Sequence, residues 1–494
     1  MPRWVSCALA VLCLLVGLLV FAQPAAAHLV PVGREIRVTA SGEPERPALA
    51  AAPDGGVVVA WSDAVSRRVE VRRFDGAGRP VGHAQTLSVR GEAPAVAVGP
   101  DGQALVAWRQ LVGGGVVLLA RRVDSYGLPR GELIRLAEPS PAVDSGPMLA
   151  LAPDGGFAVA WGERTAARAE LRMRLFAATG TPAGPAFAVD GGSGAAPRLG
   201  GLVRTGDRWV VVWEEAAEPA GGGVVVQRAF ATDGTPLGAG ERLSGPHGGD
   251  GAPSVARLGG SWAAAWLHVD PADSEAQPGH LSVATRRLSA EGAETPVLEV
   301  APVLGPPSLA DAATTVTPLA GGGWLVTWSS VDADGTARLA GRAFDATGTA
   351  AGGAFAIPRG DGGAGQPAAA ALAGGGAAVA WRVPAGADAP GEIRWRRLES
   401  PCVGNAATLC LADGRFRARV TYADRFGGGG DGVALPRGEH WGSFWFFRPS
   451  NVELAVKVLD ARAASGNFWV FYASLTDAAF TLSVVDVETG NRRV

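Results

Sequence analysis

The chain has 494 residues, 71 of them Gly and 35 Pro, and a formal net charge of −3 from 44 basic and 47 acidic side chains. That length exceeds a single compact core unless the fold is a repeat or a large barrel, and Gly and Pro turns along the whole chain argue for many short strands. Charges of both signs are interspersed, so there is no basic footprint for nucleic acid or an anionic membrane.

The first residues read as an address. Arg3 precedes an apolar run from Trp4 to Ala22, and Ala25-Ala26-Ala27 offers a small-residue cleavage site before His28. Residues 1–27 are therefore expected to be a signal peptide, leaving a secreted, extracellular or cell-surface chain without a membrane span. The rival, a retained anchor, lacks flanking interface residues, and Cys13 follows Leu12, where a lipobox wants a small residue.

From residue 28 to residue 400 internal repetition is the dominant signal. Seven strands read GGVVVAW, GQALVAW, GGFAVAW, DRWVVVW, GSWAAAW, GGWLVTW and GGAAVAW, ending at Trp61, Trp108, Trp161, Trp213, Trp266, Trp328 and Trp381. Each comes after a Pro-led apolar strand and a turn. Each is succeeded by a variable loop and a strand bearing Arg72, Arg121, Arg174, Arg228, Arg286, Arg342 or Arg396. A Gly then turns the chain in the first six repeats (Gly78, Gly127, Gly180, Gly234, Gly292, Gly348), and several last strands open Pro-x-Gly. Four strands in about 50 residues is the content of one propeller blade. The seventh repeat runs from Leu398 to Ser400-Pro401-Cys402 with no fourth strand, whereas Pro31 to Val38 reads as a fourth strand with no blade before it. The expected fold is all-β: a seven-bladed β-propeller over residues 28–400, closed by the N-terminal strand so that no sheet edge stays open. The repeats resemble the Trp-rich, PDGG-containing repeats of many secreted bacterial proteins, a likeness of architecture that implies no shared activity.

Residues 401–494 lose the repeat. Cys402 and Cys410 remain once Cys7 and Cys13 leave with the signal, and two cysteines of an exported chain read as one disulfide; half a metal site would need two further ligands. Phe444 to Phe447, Asn451 to Val458 and Phe468 to Tyr472 read as three successive strands, for which a small antiparallel β-sandwich is expected. The CxxxxxxxC opening, FWFF and GNFWVFYASLTD strings resemble a C-terminal module recurrent in secreted proteins of environmental bacteria.

The repeated Trp residues read as core wedges between sheets, and the repeated Arg residues as partners of carboxylates or backbone carbonyls. Turns on one face are short and uniform, while the loops after each Trp vary, so ligand contacts are expected on the variable face: Asp63, Arg109, Glu163, Glu214, His268, Asp270 and Arg382. The loop after Trp266 adds Asp273, Glu275 and His280, with His247 and Asp250 upstream. His268, Asp270 and Asp273 are metal candidates, as are Asp332 and Asp334 in a partial calcium-loop string that also reads as a plain turn. No cofactor is expected. There is no GxSxG, HExxH or P-loop. The PDGG turns bear a faint likeness to sialidase turns, but the Ser-x-Asp-x-Gly-x-Thr-Trp string is missing and Tyr126, Tyr422 and Tyr472 fall in a uniform turn or outside the repeats. The expectation is a monomeric, non-catalytic recognition or scaffolding protein for an extracellular glycan or protein. The alternative is a carbohydrate-active hydrolase or lyase built on carboxylates such as Asp63, Glu163, Glu214, Glu215 and Asp270.

Overall fold

The computed structural model describes residues 29–494 apart from 40–41, 167, 191–196, 218–221, 246–248, 270–280, 304–312, 332–335, 359–362, 374, 387–389, 400–401, 403, 413 and 488–491. Residues 1–28, His247, Asp270, Asp273, Glu275, His280, Asp332 and Asp334 lie outside the described residues.

The protein is all-β, and its repeats are blades of a β-propeller. In each of the first six repeats the antiparallel strand order follows the chain. Blade 1 comprises Ala48–Ala51, Val57–Ser62, Val69–Phe74 and Pro80–Ser88; blade 2 comprises Gly91–Val98, Ala104–Val112, Gly115–Val123 and Pro129–Ser140. The second strand of each blade is a continuous apolar run because neighbouring sheets cover both of its faces: every residue of Val57–Ser62 is buried. All seven repeated Trp side chains are 3 % exposed or less, as wedges between sheets require. One core cluster joins Trp61 and Phe74 to Ala378, Ala380 and Trp395, side chains of the first and last repeats.

Turn chemistry follows the sequence closely. Asp54 and Asp154 accept the amides of Gly56 and Gly156, and Gly55 and Gly155 take positive φ, so each PDGG string is an Asx-type turn. The six hairpin glycines have φ between 80° and 122°, the left-handed region open to Gly at no steric cost. One expectation is corrected. Pro182-Ala183-Gly184 and Pro236-Leu237-Gly238 do not open full strands: Pro182 and Pro236 make isolated bridges, and the fourth strands shrink to Phe187–Ala188 and Glu241–Arg242. Pro185, which lacks an amide donor, and Gly240, which lacks a side chain to pack, weaken the ladder there.

In the last repeat Gly365–Ala371, Ala377–Val383 and Glu392–Glu399 are joined by Val30–Arg37, which pairs antiparallel with Glu392–Glu399. Six of the seven repeated Arg residues bond backbone carbonyls across sheet boundaries. Arg174 reaches Leu136, Arg228 reaches Val189, Arg286 reaches Leu243, Arg342 reaches Val300 and Arg396 reaches Ile357, in each case in the preceding blade. The next residue along, where it is also Arg, points the other way: Arg73 bonds Gly102 and Arg287 bonds Ala346 of the following blade. Arg397 bonds Gly55 and Gly76 of blade 1. Carbonyls rather than carboxylates are thus the main partners of the repeated Arg residues, each blade riveted to its neighbours by charge-assisted bonds.

The C-terminal residues form two further antiparallel sheets. One holds Leu409–Leu411, Phe416–Ala423, Ala479–Asp486 and Arg492–Arg493, with Gly429–Asp431 beside the second strand; the other holds Val433–Gly438, Trp441–Trp445, Leu454–Ala461 and Asn467–Ser474. Their inner faces share one core around Phe416, Val420, Phe444, Leu454 and Val456. Cys402 and Cys410 are disulfide-bonded. Among the described residues no helix is long and apolar enough to cross a membrane.

Candidate binding site

The first strands of the seven repeats line one channel, a cavity of about 570 Å³ bounded by residues 46–49, 93–96, 145–149, 198–202, 252–255, 313–316 and 367–369. At the end where the loops after each Trp lie, a second cavity of about 400 Å³ is walled by Glu43, Glu45, Arg46, Ser62, Ala64, Glu92, Ala93, Arg109, Gln366 and Arg382. Arg46 and Ala93 line both, so the two spaces meet at these residues.

The backbone at this junction is unusual. Ala93, Ala252 and Gln366 have φ of 49°, 48° and 54°, and each immediately precedes a proline. A non-Gly residue in the left-handed region is uncommon, and a following proline biases the preceding residue toward extended geometry instead. The pairing register of the first strand shifts at the same places, between Glu92 and Ala95, Gly251 and Ser254, and Gly365 and Ala368. Strain of this kind, of order 1–3 kcal/mol per residue, clusters at functional sites.

Two of the expected contacts meet in the smaller cavity. Arg109 pairs with Glu92 at 3.0 Å and donates to the Asp144 carbonyl at 3.0 Å, while Arg382 donates through Nε to the Pro44 carbonyl at 2.8 Å. Arg67 also pairs with Glu92, so that carboxylate is engaged from two sides. Glu45 accepts the Ser62 hydroxyl at 2.6 Å. Arg46 differs from the other guanidinium groups of this wall: it is exposed to the cavity and has no ion-pair or hydrogen-bond partner among the described residues. Protein surrounding the channel desolvates its guanidinium and pushes its pKa down, yet an Arg side chain remains charged in a protein.

Other expected contacts are engaged in bonds within the fold. Asp63 is buried and accepts the amides of Glu43 and Ser66, both at 2.6 Å. Burial alone would raise its carboxyl pKa, but these amides, the Ser66 hydroxyl and the Val65 amide outweigh it and hold the group below the usual carboxylate range. Glu163 accepts the indole N–H of Trp161 at 2.8 Å. The same place two residues after the wedge Trp is filled by Gln110, 3.3 Å from Trp108, and by Glu215, 2.7 Å from Trp213. Among the described residues this bond is made in the second, third and fourth repeats, and the fifth does not make it. His268 stands at that place but shares a 2.6 Å hydrogen bond with the buried carboxylate of Asp250, and the Trp266 indole N–H has no partner among the described residues. Glu214 lines the channel and accepts the Ala252 amide at 3.1 Å. Among the described residues no three His, Cys, Asp or Glu side chains are gathered as metal ligands.

The residues that sequence reasoning passed over are Arg46, Glu43, Glu45, Glu92 and Gln366. A signal was available: the residue before the leading proline is Ala or Gly in four repeats but Arg46 and Gln366 in the first and seventh.

No protein-family model matches the chain, and no curated protein matches it. Among solved structures it is similar to a protein of unknown function from Dyadobacter fermentans, at 13% identity over 76% of this chain and 98% of that one, with a TM-score of 0.41. It is also similar to an α-L-arabinanase of Penicillium chrysogenum complexed with arabinobiose, at 14% identity over 75% and 98%, TM-score 0.40. The β-propeller domain of the trilobed protease from Pyrococcus furiosus aligns at 12% identity over 72% and 94%, TM-score 0.43. At these identities no activity transfers to the chain.

Proposed function

We propose that the mature chain, from residue 28, is a secreted, monomeric, non-catalytic recognition protein: a seven-bladed propeller over residues 28–400 closed by its N-terminal strand, followed by a β-sandwich module over 401–494. It binds an extracellular glycan or protein through the face that carries the variable loops. Two observations support the closure, the pairing of Val30–Arg37 with Glu392–Glu399 and the bonds from Arg397 to Gly55 and Gly76. The binding role is carried by one observation: Arg109 and Arg382, 273 residues apart in sequence (382 − 109), wall a single polar cavity that opens into the channel. Concave polar spaces of ~300–1,000 Å³ suit a small ligand or a chain end better than a flat protein epitope, which favours the glycan.

A glycan array probed with the purified mature chain, alongside a panel of chromogenic glycosides, tests this reading. Arg109→Ala and Arg382→Ala should each weaken the best array hit about tenfold, whereas Glu163→Ala should leave affinity unchanged and lower stability by about 1 kcal/mol through the lost indole bond. Turnover of a glycoside that disappears on mutating Glu43, Glu45 or Glu214 would replace the binder with a hydrolase.

A further inference from the structure

Arg46 sits where the channel and the side cavity join, exposed to both, and no carboxylate among the described residues neutralises it. The other cations of the cavity are engaged. Arg109 is held by Glu92 and the Asp144 carbonyl, and Arg382 by the Pro44 carbonyl. A guanidinium in this setting is a fork of donors without acceptors, carried two residues ahead of the strand Ala48–Ala51 and partly desolvated by the channel wall. Its natural complement is a planar oxyanion, met in bidentate fashion.

The rest of the wall restricts the ligand further. Glu43 and Glu45 stand in the same cavity with Arg46, and Glu45 already receives the Ser62 hydroxyl. Carboxylates in this wall repel a densely charged polyanion, so a sulfated chain or a nucleic acid strand is disfavoured. They accept hydrogen bonds well, as does the Gln366 side chain, which can also donate. One negative charge beside several hydroxyl groups matches this wall: the anion lies on Arg46 and the hydroxyls on the glutamates. Arg198, also without an ion-pair partner among the described residues, lines the channel beyond, and it offers a second anchor one or more sugar rings further along.

We infer that the junction of channel and cavity binds an acidic sugar, one carboxylate of a uronic-acid residue in an extracellular polysaccharide being held by Arg46. This deepens the recognition role proposed above and rests on it.

The test is calorimetric titration of the mature chain with trigalacturonate, trimannuronate and a hyaluronan tetrasaccharide, each against its methyl ester, which keeps the sugar and removes the charge. At least one acid should bind, its ester should bind about tenfold more weakly, and Arg46→Gln should reduce affinity for the acid to that for the ester while leaving the ester unaffected. Arg46 is exposed, so the variant's unfolding curve should superimpose on that of the parent. Equal affinity for acid and ester, or an Arg46→Gln variant that binds the acid as the parent does, overturns the inference and leaves glycan recognition standing. Absence of binding by every acid, while a neutral oligosaccharide on the same array binds, also overturns the inference alone. Absence of binding by all oligosaccharides, acidic and neutral, at millimolar concentration overturns both.

Discussion

Replacing Arg396 by Met tests the proposed closure of the propeller by its N-terminal strand. The Arg396 side chain is 1% exposed. It donates to the carbonyls of Pro31 at 3.1 Å, Gly33 at 3.0 Å and Val32 at 3.4 Å in the N-terminal strand, and to Ile357 of blade 6 at 3.1 Å. Met retains much of the aliphatic stem and removes every donor. A hydrogen bond from a charged group is worth ~1.5–3 kcal/mol and an unsatisfied buried acceptor costs ~1–3. These contributions share one side chain and do not add in full, so the loss should be roughly 3–5 kcal/mol. Arg121→Met is the internal control. That half-buried Arg occupies the equivalent place in blade 2, where its guanidinium makes one long bond, 3.4 Å to the Gly131 carbonyl, and its loss should cost about 1 kcal/mol or less. Urea unfolding followed by Trp fluorescence gives both values, and limited proteolysis should find new cleavage within residues 30–39 of Arg396→Met alone. Equal destabilisation in the two variants, with residues 30–39 still protected, would refute the reasoning that this strand is clamped into the last blade.

Thiol labelling of unreduced, denatured protein should find no free thiol at Cys402 or Cys410, and replacing both by Ser should cost roughly 2–3 kcal/mol, as expected for so short a loop; two labelled thiols would contradict the bond. Acid should destabilise the fold in a defined window. The Arg79 amide leads the groups holding the Asp75 carboxyl below its usual range; at Asp124 and Asp345 burial works upward but turn amides and hydroxyl or guanidinium donors outweigh it. The guanidinium of Arg462 brings Asp460 down to about 2. Folded values lie below the unfolded value near ~4, so this stability is complete above that pH and is lost as pH falls through the folded values. The urea midpoint should therefore hold from pH 7 to 5 and fall below about pH 4, with a shallower fall in Asp124→Asn; a midpoint that does not move down to pH 2.5 would show that these turns are not linked to folding.

Most of the blade architecture was legible because it is written in residues whose reason is local. A Gly at the hairpin turn, an Asp two residues before an amide and a continuous apolar strand ending in Trp each imply one backbone shape, and repetition amplified the signal sevenfold. The candidate cavity was legible only where it coincided with that grammar. Arg109 and Arg382, expected as contacts because they follow a wedge Trp at the start of a variable loop, line the smaller cavity. Glu163 and Asp63 satisfied the same criterion and yet serve the fold, one by satisfying an indole N–H and the other by holding a loop through amides. Nothing in a single strand's pattern separates these fates, because a buried N–H needs an acceptor as surely as a ligand does. Arg46 was missed for the converse reason. It lies just before the Pro-led strand Ala48–Ala51, which repetition marks as scaffold, while the first strands of all seven repeats line one channel, so that a position ahead of each inner strand becomes part of a shared wall. The contrast between His268 and Glu163 argues for the same lesson. They occupy the same place after the wedge Trp, and only the partner from another segment, the buried Asp250 carboxylate, draws His268 into a different bond and leaves Trp266 without an acceptor among the described residues. The fate of a side chain at this place is therefore decided by what a neighbouring segment offers it, and that is visible only once the repeats stand side by side.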